Sequence, residues 1–124
     1  MNDDTTAGDG GTAAIRPPLD LLREAAALEQ GTREGSRGFK SATLLRGPLT
    51  LVLFAFDAGA SLLEHKAPGV ITIHVLSGAL TVQAEGQVHE LRANQVLSLP
   101  PGVRHSVNAD EASRMLLTIC ATGG

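Results

Sequence analysis

Residues 59–78 read Gly59-Ala-Ser-Leu-Leu-Glu-His65-Lys-Ala-Pro-Gly-Val-Ile-Thr-Ile-His74-Val-Leu-Ser-Gly78, and residues 100–105 read Pro100-Pro-Gly102-Val-Arg-His105. In the first stretch, residues 70–76 form an apolar, β-branched run bounded by Pro68-Gly69 and Ser77-Gly78, both pairs with turn chemistry. The same alternation of short apolar runs and turns continues on either side. Runs at 39–45, 49–56, 80–83, 88–91, 96–99, 103–107 and 115–120 are β-compatible. The breaks between them carry Arg46-Gly47-Pro48, Asp57-Ala58-Gly59, Glu85-Gly86, Pro100-Pro101-Gly102 and Asn108-Ala109-Asp110. Many short strands with Gly/Pro turns and no intervening helix predict an all-β sandwich or barrel over residues 39–124.

Upstream, Leu19, Leu21, Leu22, Ala25 and Leu28 recur at helical spacing and Gly31 supplies a stop, which predicts a short helix over 19–30. Asp20, Arg23, Glu24 and Glu29 are expected on its solvated face. The Gly-rich segment after it, with Arg33 and Arg37, completes a helix-and-connector region at 19–38. Residues 1–18 are expected to be a disordered tail, because the Gly, Thr, Asp and Ala of 1–14 bury too little area to offset chain entropy. The run at 49–56 (LTLVLFAF) is apolar on both faces. One face fills a core, and the other should meet the helix or a second subunit, since a large exposed apolar face is uncommon in a monomer.

Composition excludes several classes. The chain has 124 residues, 43% of them apolar and 19% charged, which is a globular balance sized for one domain. A net charge of −3 leaves no basic excess to neutralise phosphates, and with no Trp or Tyr there is little to stack on bases, so no nucleic-acid partner is expected. No apolar run approaches the roughly 18 residues of a transmembrane helix, and no signal peptide is readable, so the expectation is a cytoplasmic protein without a membrane partner. The single cysteine, Cys120, rules out an internal disulfide and a Cys-rich zinc site, and is expected to be a small core or interface residue. Gly8-Asp-Gly-Gly11 lacks the strand before it and the Lys-Ser/Thr after it that a phosphate loop needs, so no nucleotide cofactor is expected.

The chemistry-bearing residues are four histidines: His65, His74, His89 and His105. A single histidine in a β-rich domain is ordinarily a surface or satisfied core residue, so context has to single one out. His65 and His105 have that context. Gly59, His65 and Gly78 match the first motif of the cupin superfamily (Gly, five residues, His, one, His, three or four, Glu, six, Gly). Pro100, Gly102 and His105 match its second (Gly, five, Pro, one, Gly, two, His, three, Asn). The strand Ile73-His-Val-Leu-Ser-Gly78 and the segment 84–96 between the motifs fit as well. Over about residues 40–120 the chain thus resembles a small single-domain, RmlC-like cupin. That resemblance implies a double-stranded β-helix, or jelly-roll barrel, of two antiparallel sheets behind the short helix. It also implies a homodimer, as small cupins commonly form.

Cupins usually hold Fe, Mn, Zn, Ni or Cu with three His and one Glu. Here Ala67 stands at the second histidine, Ile71 at the glutamate, Asn94 at the first glycine of the second motif and Ala109 at its Asn. Only His65 and His105 carry over. Glu64 has suitable chemistry for a further ligand, but adjacent strand residues point to opposite faces, so with His65 inward Glu64 faces out unless a bulge intervenes. By the same parity Ile71, Ile73 and Val75 face in, and His74 faces out as an interface or surface residue. His89 lies in the inter-motif hairpin, with nothing to place it near His65, and is expected at the surface.

His65 and His105 on facing strands, beside Ala67 and Ile71, imply a partly apolar pocket. The pair could hold a divalent transition metal weakly, with waters completing the shell. It could also bind an anion or carbonyl oxygen, act as an acid–base pair, or be a relic. The expected function is a single-domain cupin that binds a small molecule, or a weakly held divalent metal, or both, through His65 and His105. The alternative is a metal-dependent cupin enzyme such as a small dioxygenase, which needs a third protein ligand. A metal-free sugar isomerase of the cupin type pairs a His base with a Tyr acid, and no Tyr is present. An oligomeric scaffold with a dry barrel is the remaining reading.

Overall fold

The computed structural model describes residues 15–31 and 38–121. The segment 1–14 of the expected tail and most of the Gly-rich connector lie outside the described residues. Asp20 starts the helix: its carboxylate accepts the Arg23 N–H at 3.1 Å, so α1 spans Leu21–Gln30 and Leu19 precedes it. At the other end, Lys40 Nζ donates to the carbonyls of Glu29 and Gly31, neutralising the partial negative charge of the helix C-terminus.

The strands among the described residues are β1 (Phe39–Leu45), β2 (Leu49–Phe56), β3 (Ser61–His65), β4 (Val70–Ser77), β5 (Ala79–Ala84), β6 (Gln87–Arg92), β7 (Val96–Leu99), β8 (His105–Ala109) and β9 (Ser113–Cys120). They pair antiparallel throughout. One sheet has the order β1-β2-β9-β4-β7 and the other β3-β8-β5-β6. β3 is the strand that apolar runs do not reveal. Leu62 and Leu63 are neighbours, so its pattern does not alternate, and the register shifts between Leu62 and His65. β8 begins at His105 rather than 103, because the Pro100-Pro101-Gly102 turn runs on to it.

Turn chemistry closes the hairpins. Glu85 and Gly86 both take positive φ (52° and 75°), as a two-residue turn between right-twisted strands requires. Asn94, at the position of a motif glycine, has φ 71°; Asn is among the few side chains that tolerate this region. Gly78 is fixed by both φ and space, since a Cβ there would lie 2.2 Å from Ser113 Oγ.

The inner faces of the two sheets form a core of Phe54, Phe56, Ile71, Ile73, Val75, Leu80, Val82, Val107, Met115 and their neighbours. The expected alternation in β4 is present, with Ile71, Ile73 and Val75 buried and His74 on the opposite face. The outer face of the five-stranded sheet divides in two. Over β1 and β2 it carries α1, whose Ala25 is fully buried, as is Leu53 beneath the helix layer. Glu29 is not merely solvated: it forms a two-pronged ion pair with Arg114 of β9, at 2.9 and 2.7 Å. Beyond α1 the two central register rows carry no Lys, Arg, Asp or Glu. One register row runs Leu53–Leu116–His74–Val96 and the next Leu51–Thr118–Thr72–Ser98. Cys120 is exposed at the end of β9 and takes no part in the core.

Candidate functional site

The inner face of the four-stranded sheet positions the site. His65 of β3 pairs in register with His105 of β8, His105 with Ala84 of β5, and Ala84 with Gln87 of β6. Directly opposed residues in antiparallel strands point to the same face. Ala84 is buried in the core, so the whole row His65–His105–Ala84–Gln87 faces inward.

A bulge makes this possible. Leu62 packs against the core and pairs with Val107, yet His65 lies three residues further on and pairs with His105. In a regular strand, positions three apart point to opposite faces. One extra residue in β3 restores His65 to the inner face and leaves Leu63 and Glu64 exposed. Glu64 therefore stands outside, with its carboxylate 3.9 Å from Arg104, and both side chains are about three-fifths exposed.

The two imidazoles lie with ring centroids 4.3 Å apart and planes at 59°. Each is oriented in the same way. His65 Nδ1 donates to the Leu63 carbonyl at 2.9 Å, and His105 Nδ1 donates to the Val103 carbonyl at 3.1 Å. A carbonyl has no proton to give, so Nδ1 carries the hydrogen and Nε2 of the neutral ring carries the lone pair. Two such nitrogens are both acceptors and cannot hydrogen-bond to each other.

His105 is 2% exposed. Burial pushes its pKa below the ordinary value of 6.5; the Val103 carbonyl opposes this shift and the charge of a protonated His65 adds to it. The ring is thereby kept neutral, as a metal ligand or hydrogen-bond acceptor must be. The loops that carry the pair are tied together by the Gly102 N–H, which donates to the Ala67 carbonyl at 3.1 Å. An open depression of about 470 Å³ lies over these loops, lined by Lys66, Ala67, Pro68, Pro101 and Gly102.

The facing sheet contributes hydrocarbon. Ile71 is 2% exposed in the core and Ala67 packs against it. Among the described residues no group of three or more His, Cys, Asp or Glu is arranged to hold a metal. A three-His, one-Glu set therefore does not fit the described residues of this barrel. His74 lies on the outer face, as parity predicts. His89 does not lie where expected. It pairs with Val82, a fully buried core residue, so it faces inward and is half-buried, while its neighbour Val88 is 59% exposed. The signal was Leu91, two residues on and buried, which sets the inward parity of β6.

The family model of the cupin domain matches residues 52–120, which span the paired histidines and both sheets. The chain belongs to the cupin family. No curated protein matches this cupin in sequence. Among solved structures it is similar to a conserved protein of unknown function from Streptococcus pyogenes, with 26% identity over 90% of this chain and 93% of the other, at a TM-score of 0.72. A cupin superfamily protein from Desulfitobacterium hafniense aligns with 22% identity over 88% and 94% of the two chains, at 0.69. An RmlC-like cupin from Shewanella frigidimarina aligns with 24% identity over 76% and 86%, at 0.66. These last two likenesses establish the fold.

Proposed function

We propose that this cupin is a binding protein rather than a catalyst, and that it takes a small molecule in its barrel through His65 and His105, which would also hold a divalent transition metal weakly. The observation that carries the reading is the matched pair of Nδ1–carbonyl hydrogen bonds in two rings whose centroids lie 4.3 Å apart, which leaves Nε2 as the free acceptor of each neutral ring. Metal-bound histidines characteristically have their second ring nitrogen anchored in this way. The metal would supply a positive centre for an anionic oxygen of the ligand, with water in the other positions. Two protein ligands make for weak retention.

A dioxygenase-like enzyme is disfavoured by the donor set. A two-His, one-carboxylate site needs an inward carboxylate. Glu64 points out, and Ile71 fills the place where the family's glutamate stands. We also propose a homodimer formed through the uncharged rows of the outer sheet face. A cytoplasmic address is proposed with it, since a single cysteine makes no use of an oxidising compartment.

The test is metal analysis and calorimetric titration of tag-free protein with Zn(II) and Ni(II), beside the His65→Ala/His105→Ala double variant. We expect saturable binding near one ion per chain in the parent and none in the variant. Equal binding by the two proteins overturns the site, and no binding by either overturns the metal.

A further inference from the structure

Glu85 is a residue that neither the fold nor the histidine pair explains. It stands in the two-residue turn Glu85-Gly86 between β5 and β6, where Ala84 pairs with Gln87 and both turn residues have positive φ. Asn or Asp before glycine suits such a turn, whereas a glutamate at φ 52° is strained there. Its side chain is exposed, and its carboxylate has no hydrogen-bond or ion-pair partner among the described residues.

The carboxylate borders a cavity instead. A space of about 230 Å³ lies against the outer face of the four-stranded sheet, floored by the register row Ser106–Gln83–Val88 and walled by Glu64, Glu85 and Arg104. Each floor residue adjoins a member of the inward row His105–Ala84–Gln87 in sequence, so this face is the reverse of the one that carries the histidine pair. A second depression, of about 440 Å³, shares Glu64, Glu85 and Arg104 and adds Lys66. The first space is smaller than the roughly 300–1,000 Å³ of drug-sized pockets, so its occupant has few heavy atoms. Arg104 lies 3.9 Å from Glu64, too far for a hydrogen bond, which leaves its fork of donors open to a planar two-oxygen acceptor. Val88, 59% exposed, is the apolar surface at the same place.

We propose that this outer cavity binds an α-amino acid with a short aliphatic side chain. The ligand carboxylate takes both prongs of the Arg104 fork, the ammonium lies against the Glu85 carboxylate, and the side chain rests on Val88. Two acids and two bases border the adjoining spaces, and a zwitterion is the class that answers both signs. A plain anion would face Glu85 and a plain cation would face Arg104. The strained turn holds out a carboxylate where the shorter Asn would not reach. The site is separate from His65 and His105 and does not depend on how that pair is read.

The probe is L-alanine, with propionate and ethylamine as its two charged halves, added to the metal-free full chain and followed on backbone amides by nitrogen-15 NMR. L-Alanine should shift the amides of Glu85, Gly86, Arg104 and Ser106 along one saturating curve at about millimolar concentration, as exposed charge contacts allow. Propionate and ethylamine should each bind ~10-fold more weakly, having lost one charge-assisted contact. Glu85→Asn should raise the melting temperature by roughly 2–5 °C, because the turn is relieved, and weaken alanine binding ~10-fold. The His65→Ala/His105→Ala double variant should bind alanine as the parent does. No saturable shift at these four amides overturns the site. Propionate or ethylamine binding as tightly as alanine overturns the zwitterion. If Glu85→Asn melts lower than the parent, or binds alanine equally well, Glu85 serves the turn and not a ligand. Loss of the alanine response in the histidine double variant would move the occupant into the barrel and overturn the outer site.

Discussion

The inner faces of the two sheets share one hydrocarbon core but differ in chemistry in a single row each. On the four-stranded sheet, the row at the mouth reads His65–His105–Ala84–Gln87. On the five-stranded sheet, Ile71 pairs with Leu99 on one side and Ile119 on the other, all hydrocarbon. In the family's pattern both sheets supply ligands. Here the row on one sheet holds two imidazoles, and the row through Ile71 on the other is core hydrocarbon. The difference teaches that the orientation of the pair is set within one sheet. Orientation of His65 and His105 depends on the carbonyls of Leu63 in β3 and of Val103 just ahead of β8, and on a bulge in β3, and on nothing from the facing sheet.

The strongest way to break that contrast is to put a carboxylate back into the hydrocarbon half. Ile71→Glu removes a 2% exposed isoleucine and buries an acid among apolar neighbours. We expect a loss of about 3–5 kcal/mol in urea unfolding, from lost packing and an unpartnered polar group. Zn(II) should return part of that stability to the variant and less to the parent, since a metal that binds only the folded state stabilises in proportion to its affinity. Equal stabilisation of the two proteins would mean that position 71 does not look toward the histidine pair.

Acid tests the other half. The native pKa of His105 is depressed by burial, so as pH falls below 6.5 the unfolded chain takes up this proton before the folded one. Unfolded protein then binds more protons than native protein, and stability falls with falling pH, by at most about 1.4 kcal/mol per pH unit for one group. The loss should begin near 6.5 and cease below the depressed native pKa. His105→Gln should flatten the slope in this window. A variant with the parent's slope would show that this imidazole is not held neutral by the fold.

The outer face offers a smaller perturbation of stability with a clear readout. Val96 is 55% exposed, opposite His74 in an uncharged row. Val96→Glu should change folding stability by no more than about 0.5 kcal/mol, as exposed substitutions do. It should convert the proposed dimer to monomer in light scattering. An unchanged mass at equal concentration would place the dimer contact elsewhere, or show that there is none.

What was legible in the sequence follows the same division. Strands with regular alternation, such as Val70–Ser77, announce both their existence and their faces. The turn residues at Ser77-Gly78 and Glu85-Gly86 fix where chains reverse, because their φ values exclude most alternatives. β3 was not legible as a strand, because two adjacent leucines and a bulge erase the period. His89 was misplaced for a related reason. β6 carries one apolar residue on each face, Val88 outside and Leu91 inside, and only burial tells which sets the parity. The pairing of His65 with His105 was legible through the glycines and prolines around them. The tethering of both Nδ1 atoms was not, since a bond to a backbone carbonyl leaves no mark on residue type.

The smallest expected effect is the sharpest check on the inward–outward assignment. Glu64 adjoins His65 in sequence and is chemically the readiest third ligand, so proximity alone would place it in the site. The bulge puts it outside, near Arg104 on a surface where both side chains are well solvated. Glu64→Gln should therefore leave Zn(II) affinity unchanged, within twofold, and shift stability by less than about 0.5 kcal/mol, because an exposed ion pair contributes little. A tenfold loss of zinc affinity in this variant would mean that β3 turns its carboxylate inward when metal is present. The division between a polar and a hydrocarbon half would then give way to a third ligand supplied by the bulge itself.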